Sequence, residues 1–400
     1  MSAAQPMLEI TDLILEVGGE DLQVCMQCGT CTGVCPWSAI TGFSPRMVLR
    51  LASLGLDGYE EEDIWRCVTC NACVARCPRG IDIVDVMRAA RSVLLESGSI
   101  PASYRAPLAS LRSSGNPWSG DRSERHAWAE GLQLPRFDAS CDYLYFTCCT
   151  QAYDPRNRRA AKALVSVLRE VGISFGILDR GECCCGEQAR KVGAEEVYQE
   201  LRSSNVELLR QEDARRVIVS SPHCLQVLGS DYGAEIQLDT QHYTQVLAGR
   251  LDGGELAPTV PVELKVTYHD PCYLGRHAGE YERPRDLLKA LPGLQLVEMD
   301  RSRETSLCCG GGGGGLWTEV PQEQRFAVHR IREAQATGAS VIATACPYCT
   351  SMFEDAVKVL ELEETMAVMD VAELVARSLG LEPSCLPTHV IGSEELRTRL

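Results

Sequence analysis

Four hundred residues, 45% of them hydrophobic, are enough for two or three domains with their own cores and rule out an unfolded chain. A formal charge of −16, with seven Arg, no Lys and thirteen acidic residues in the first hundred positions, excludes a basic nucleic-acid surface; it suits docking to a basic protein partner or plain solubility. Twenty-one cysteines point to disulfides in a secreted chain and to metal sites in a cytosolic one.

The opening segment, MSAAQPMLEITDLILEV, lacks a basic n-region and carries Glu9 and Asp12, unlike a secretory signal. No stretch approaches the ~18 uninterrupted apolar residues of a membrane span. A cytoplasmic location is expected, where thiolates remain available to iron.

Residues 25–36 read C-M-Q-C-G-T-C-T-G-V-C-P and residues 67–78 read C-V-T-C-N-A-C-V-A-R-C-P. Both are the C-x2-C-x2-C-x3-C-P run of two-cluster ferredoxins, in which the fourth Cys of each run serves the other cluster. The wiring that follows is Cys25, Cys28, Cys31 and Cys77 for one 4Fe–4S cluster, and Cys67, Cys70, Cys73 and Cys35 for the other. Structural zinc also uses C-x2-C pairs, but it does not need a third Cys three residues on and a fourth before proline, twice over. The insert between the runs includes FSPRMVLRLASLGL, whose apolar spacing is helical, and Ser44-Pro45 makes a good helix start. The module is therefore expected to be a helical ferredoxin.

Residues 99–140, rich in Pro, Ser, Gly and Arg without a sustained period, read as a surface linker. Beyond them, short β-branched or aromatic runs at 143–146, 217–219, 266–268 and 341–343 alternate with helical patterns at 157–171, 195–210, 283–291 and 351–360. That alternation predicts α/β units around mainly parallel sheets. The region also repeats. Cys184-Cys185-Gly186 recurs as Cys308-Cys309-Gly310 at an offset of 124, and Ser221-Pro222-His223-Cys224 recurs as Cys346-Pro347-Tyr348-Cys349 at 125. Cys149 is matched by Cys272 at 123, and Cys148 fits the 124 offset equally well. A duplicated pair of domains is expected.

Adjacent cysteines cannot easily ligate one iron but can ligate neighbouring irons. At these positions the chain resembles the CCG-domain family, whose motif is present whole as Cys272, Cys308, Cys309, Cys346 and Cys349. The N-terminal half resembles the C subunit of heterodisulfide reductases in Phe43-Ser44-Pro45-Arg46, Ile64-Trp65-Arg66-Cys67 and Cys77-Pro78-Arg79-Gly80-Ile81-Asp82. The C-terminal half resembles their B subunit, and the fused order is that of the D subunit. The resemblance spans about residues 20–360 and implies an α+β/α/β multidomain chain: a helical two-cluster ferredoxin module (1–98), the linker (99–140), a first CCG domain (141–257) and a second (258–400).

It further implies that the five second-repeat cysteines hold a noncubane iron–sulfur cluster that cleaves a disulfide by successive electron transfers. Two electrons are needed and cubanes deliver one at a time, so a site that holds the sulfur radical fragment stabilises the half-reduced state. In the first repeat Cys149, Cys184, Cys185 and Cys224 match the motif while Ser221 stands where a thiolate belongs, so that repeat is degenerate. Cys148 and Cys183 sit beside expected ligands and could substitute, and a further iron–sulfur cluster there is left open. One active cluster in the second repeat is expected.

His269 and His277 flank Cys272 and read either as proton relays to a leaving thiolate or as structural histidines. His223, beside Ser221, reads as a replacement ligand or a structural residue. Gly310–Gly315 is not a phosphate loop, since no Gly-Lys-Ser/Thr follows; missing side chains there let backbone N–H groups approach cluster sulfurs. Cys141 and Cys385 match no motif and read as buried small hydrophobes. The resemblance makes the chain a heterodisulfide-reductase-like oxidoreductase subunit; the rival reading is an electron conduit for a flavin dehydrogenase or an electron-bifurcating complex. No Gly-x-Gly-x-x-Gly opens a helix, so flavin or nicotinamide is expected on flavoprotein or ferredoxin-like partner subunits.

Overall fold

The computed structural model describes residues 6–59, 62–178 and 181–381, and Cys385 lies outside them. The N-terminal module is helical. Its helix Pro45–Ser53 starts where Ser44-Pro45 predicts: the Ser44 hydroxyl accepts the Met47 N–H at 3.3 Å, and Pro45 takes a first-turn position that needs no N–H donor. Val48, Leu49 and Ala52 face inward against the helices Leu8–Glu16 and Ile83–Glu96. The latter is capped by Asp82, which accepts the Asp85 N–H at 2.9 Å.

The segment read as a surface linker is built into the core. It forms a helix, Ala102–Ser114, and buries Tyr104, Leu111, Arg125 and Trp128. Pro107 inside the helix and the scattered apolar positions hide its period, and the buried Arg125 makes the segment look hydrophilic in sequence.

Two four-stranded parallel sheets follow. β1 (Tyr143–Phe146), β2 (Phe175–Gly176), β3 (Arg216–Val219) and β4 (Asp239–His242) take the order β2-β1-β3-β4. β5 (Lys265–Tyr268), β6 (Gln295–Val297), β7 (Val341–Thr344) and β8 (Ala367–Asp370) take the order β6-β5-β7-β8. β1 and β7 are buried at every residue, as expected of parallel strands covered on both faces by helices. The repeat is therefore structural as well as sequential.

In each sheet the chain leaves the first strand toward one side and returns on the other, between β1 and β3 and again between β5 and β7. Such a reversal opens a crevice at the carboxyl ends of the central strands. Cys148 and Cys149 follow β1, Cys224 follows β3, Cys272 follows β5, and Cys346 and Cys349 follow β7. The cysteines thus lie where this topology opens space. The two repeats also exchange helices: Pro155–Glu170 packs on Val371–Ser378, and Tyr243–Gly253 packs on Arg283–Lys289. Arg156 reaches across to Glu373 at 2.9 Å, and the Tyr243 hydroxyl donates to Asp370 at 2.6 Å.

Candidate iron–sulfur centres

The two ferredoxin runs fold as near copies. In the first, Gln27 (φ 57°) and Gly29 (φ 86°) flank Cys28 in the left-handed region; in the second, Thr69 (φ 50°) and Asn71 (φ 65°) flank Cys70. Three of these four are not glycine, a conformation that costs on the order of 1 kcal/mol each and persists at functional loops. Left-handed turns of this kind curl thiols and backbone N–H groups toward one concavity, the arrangement that suits an anionic iron–sulfur cluster. Cys25, Cys28, Cys31 and Cys77 line one cavity, and Cys35, Cys67, Cys70 and Cys73 line another. The fourth cysteine of each run lies with the other run's first three. The first cavity is at the surface, with Cys28 exposed, and the second is deeper, with Cys70 buried. All twenty cysteines in the described residues are free thiols, and the donor set fits two cubanes.

The five second-repeat thiols form a buried chain of neighbours. Cys272 Sγ lies 3.8 Å from Cys308 Sγ, and Cys309 Sγ 3.3 Å from Cys349 Sγ. Cys308 and Cys309 are in mutual reach, as are Cys349 and Cys346. The Gly310 N–H donates to Cys308 Sγ at 3.3 Å and the Gly311 N–H bonds to Cys309, so two of the six glycines do bring amides to sulfur. The next two serve a different purpose. A Cβ at Gly312 would lie 2.5 Å from the Val68 carbonyl oxygen, and one at Gly313 2.5 Å from that of Cys67. The glycine run is where the second repeat presses against the deeper ferredoxin loop.

At that contact the Cys70 thiol lies within hydrogen-bonding reach of Cys308. Polar clamps hold the junction. Arg276 donates to the Cys70 carbonyl at 2.6 Å and the Ser306 carbonyl at 2.8 Å, and Arg91 joins the carbonyls of Cys67 and Gly313 at 2.7 and 3.1 Å. His277 belongs to this clamp. Its Nε2 donates to the Thr69 carbonyl at 2.9 Å while its ring stacks on Tyr273, and burial holds its pKa down to about 4. It points to the ferredoxin module and not to Cys272, so the relay reading of His277 gives way to a structural one.

His269 is fully buried at the end of β5, and one of its ring nitrogens lies within 4.8 Å of Cys309 and Cys349 sulfurs. Arg330 Nε donates to its Nδ1 at 3.2 Å. Burial and the Arg330 charge keep the ring neutral, so its one proton sits on Nε2, which has no hydrogen-bond partner among the described residues.

His223 is not placed to replace Ser221. Its Nδ1 lies 3.0 Å from Glu187, its ring packs between Tyr273 and Tyr348, and it reaches Cys346 of the second repeat. Burial opposes its charge, but Glu187 and Cys346 outweigh that and raise its pKa, while hydrogen bonds with Cys349 and then His223 hold Cys346 down at about 6 despite burial. Glu187, Tyr273, Arg276 and Arg125 escaped the sequence reading. Only Glu187 had a sequence cue, directly after Cys-Cys-Gly.

In the first repeat Cys149 reaches Cys184 and Cys148 reaches Cys224. Cys183 turns away, its thiol 3.6 Å from the Leu201 carbonyl. Cys141 is half-buried. A cavity of about 630 Å³ opens beside the second site, lined by Gly310, Met352, Trp37, Trp65, Tyr104 and Phe326.

Comparison with known proteins agrees with this layout. The family described as a cysteine-rich domain (CCG) matches residues 143–229 and 266–354, and the 4Fe-4S dicluster domain matches residues 21–81. The chain is 32% identical to the D subunit of the dihydromethanophenazine:CoB–CoM heterodisulfide reductase of Methanosarcina barkeri, over 91% of this chain and 95% of that one. It is 34% identical to the EtfAB:quinone oxidoreductase of Syntrophomonas wolfei over 82% of this chain and 48% of that one. It is 32% identical to the probable iron-sulfur-binding oxidoreductase FadF of Bacillus subtilis, over 90% and 60%. The chain thus spans only about half to three-fifths of the length of the last two. No helix among the described residues is long and apolar enough to cross a membrane.

Proposed function

This chain belongs to the CCG-domain iron–sulfur family that includes the D subunit of heterodisulfide reductases, and from that premise we propose that it carries electrons from two 4Fe–4S clusters to a noncubane cluster at the second repeat, where a disulfide or related sulfur substrate is reduced. Iron–sulfur redox activity follows from the family; the substrate and the direction of flow are the proposal. The observation that carries it is the contact between Cys70 and Cys308, a ligand of the deeper cubane against a ligand of the second CCG site. The exposed Cys28 cavity, with Met26 on its rim 56% exposed, suits electron entry from a flavoprotein or ferredoxin-like subunit.

Bound at the five cysteines, a noncubane cluster would supply one-electron chemistry at sulfur. The surrounding residues prepare the site for it. The Gly310 and Gly311 amides are fixed donors toward ligand sulfurs, and preorganised donors stabilise developing negative charge without reorganisation. Arg276, buried beside Cys70, Cys272 and Cys308, supplies a positive charge shared by donor and acceptor sites. The 630 Å³ cavity bordered by Gly310 is of the size that takes a small organic substrate. The overall change is one disulfide plus two electrons and two protons to two thiols.

The test is the anaerobically purified chain with Cys309→Ala. Both cubane signals should remain while the second-repeat signal and disulfide reduction are lost. A variant that still reduces disulfides at the wild-type rate places the chemistry elsewhere. The likeness to a quinone oxidoreductase supports the second reading, a conduit that passes electrons on. In that case Cys309→Ala would block electron delivery to a quinone acceptor, and the wild type would reduce no disulfide.

A further inference from the structure

The first repeat has four cysteines in the family pattern and Ser221 in place of the fifth. Its thiols nevertheless form the same chain of neighbours as those of the second repeat. There the order is Cys272, Cys308, Cys309, Cys349, Cys346. In the first repeat Cys149 touches Cys184, Cys184 touches Cys185, Cys185 Sγ lies 3.6 Å from Cys224 Sγ, and Cys224 touches Cys148. Position by position, Cys149 stands for Cys272 and Cys148 stands at the end of the chain that Cys346 occupies. We propose that the first repeat holds its own five-thiolate iron–sulfur site, with Cys148 supplying from the β1 loop the thiolate that the β3 loop lacks at Ser221.

Strand register explains how a ligand can change loops. Phe146 on β1 pairs with Val219 on β3, and Cys148 and Ser221 each lie two residues beyond that pair. Adjacent strands are ~4.8 Å apart, so the two residues leave the sheet side by side. The Cys148 thiol accordingly reaches Ser221 as well as Cys224. The Ser221 hydroxyl, fully buried, has no other partner among the described residues. In the second repeat the residue before Cys272 is Pro271, which offers no ligand, and the thiolate comes from the β7 loop at Cys346.

A second, independent feature points the same way. Arg125, from the segment read as linker, is fully buried and sends Nη1 to Cys149 Sγ at 3.1 Å, Nε to Glu182 at 2.8 Å and Nη2 to the Thr147 carbonyl at 2.7 Å. Glu182 meets the charge of this buried guanidinium, and its Nη1–H is left as a donor to the Cys149 sulfur, a contact that suits a thiolate ligand. Cys183, whose thiol meets the Leu201 carbonyl at 3.6 Å, is left out of the set.

The inference does not rest on which repeat reduces substrate. Its test compares iron and sulfide per chain, with electron paramagnetic resonance and Mössbauer spectra, in the full-length wild type, C148S, C183S and the double variant C148S/S221C, all purified anaerobically. C148S should lose first-repeat iron and the matching spectral component. C183S should keep both, and the double variant should recover them because the thiolate returns to the family position. Wild-type iron content and spectrum in C148S, or loss in C183S instead, overturns the assignment. If C148S is insoluble the double variant decides alone: restored iron supports it, and a folded, iron-depleted double variant refutes it.

Discussion

The Tyr273 hydroxyl donates to Glu187 of the first repeat and accepts from Thr69 Oγ1 of the ferredoxin module at 2.9 Å, so one phenol of the second repeat ties all three parts of the chain together. Tyr273→Phe leaves a buried carboxylate oxygen and a buried hydroxyl without that partner. The expected loss is about 1–3 kcal/mol of stability. Iron content should stay at the wild-type value, since no thiol is touched. Thermal unfolding followed beside iron analysis checks both halves, and a variant that sheds iron before it unfolds contradicts the structural role.

The crossed placement of Cys35 and Cys77 makes the two ferredoxin clusters separable by single substitutions. Full-length wild type should carry about eight irons in this module, two cubanes by the ligand pattern. Cys77→Ala should remove the surface cluster beside Cys28, and Cys35→Ala the deeper one beside Cys308. Each variant should therefore change the reduced spectrum differently, and Cys35→Ala should block reduction of the second-repeat site even by a small chemical donor that reaches the surface cluster. Uncrossed behaviour, with Cys35→Ala removing the cluster at Cys25, would falsify the wiring.

The two CCG motifs should respond separately as well. Cys309→Ala is expected to abolish the second-repeat signal and substrate reduction, because Cys309 lies between Cys308 and Cys349 in the thiol chain. Cys185→Ala should spare that signal and remove only first-repeat iron, with weaker assembly or electron delivery as a secondary effect. The measurement is activity recorded beside the spectra of both variants. Cys185 essential and Cys309 dispensable would reverse the assignment of the active repeat.

Much of this layout was legible in the chain itself. The cysteine spacings mark the ligand loops, and the buried central strands at 143–146 and 341–344 announce themselves because both faces are apolar. The outer strands did not. β2 is two residues long and β4 reads Asp-Thr-Gln-His, so neither carries a pattern of its own. Helix Pro347–Val359 begins four residues before its apolar period, which puts Cys349 on its first turn. The contacts between parts were hidden for a different reason. His277 meeting Thr69, His223 meeting Cys346 and Arg125 meeting Cys149 depend on tertiary packing between distant segments, and no local spacing encodes them.

Asp370, at the interface of the repeats, gives the chain a measurable pH dependence. Burial pushes its pKa up to about 7, against the hydrogen bond from Tyr243 and the Ala372 amide. Its folded pKa is thus above the unfolded value near 4, so the folded state keeps a proton that the unfolded state loses. Stability then falls as pH rises between those values, at about 1.4 kcal/mol per unit, and levels off above 7. Asp370→Asn removes this slope and retains a residue suited to cap the helix Val371–Ser378. Between pH 6 and pH 8 the wild type should lose on the order of 1 kcal/mol more than the variant. Parallel slopes in denaturant titrations at the two pH values would show that Asp370 is not the group responsible.

Gly312 offers a way to test the junction between ferredoxin module and second repeat without touching a ligand. A methyl group there would lie 2.5 Å from the Val68 carbonyl oxygen and 3.2 Å from Thr69 Oγ1. The carbonyl is backbone and cannot swing aside, so Gly312→Ala must push the two segments apart. Overpacking of this kind costs roughly 1–3 kcal/mol. The same displacement lengthens the step from Cys70 to Cys308, whose thiols are in direct reach in the wild type. Electron transfer falls off steeply with distance, so the variant should fill its second-repeat site with iron as usual yet reduce it more slowly after the cubanes are reduced. Rapid mixing with a chemical reductant, followed by freeze-quench spectroscopy of both cluster types, separates the two steps. Unchanged transfer in a demonstrably destabilised Gly312→Ala chain would mean that electrons do not cross at the Cys70–Cys308 contact.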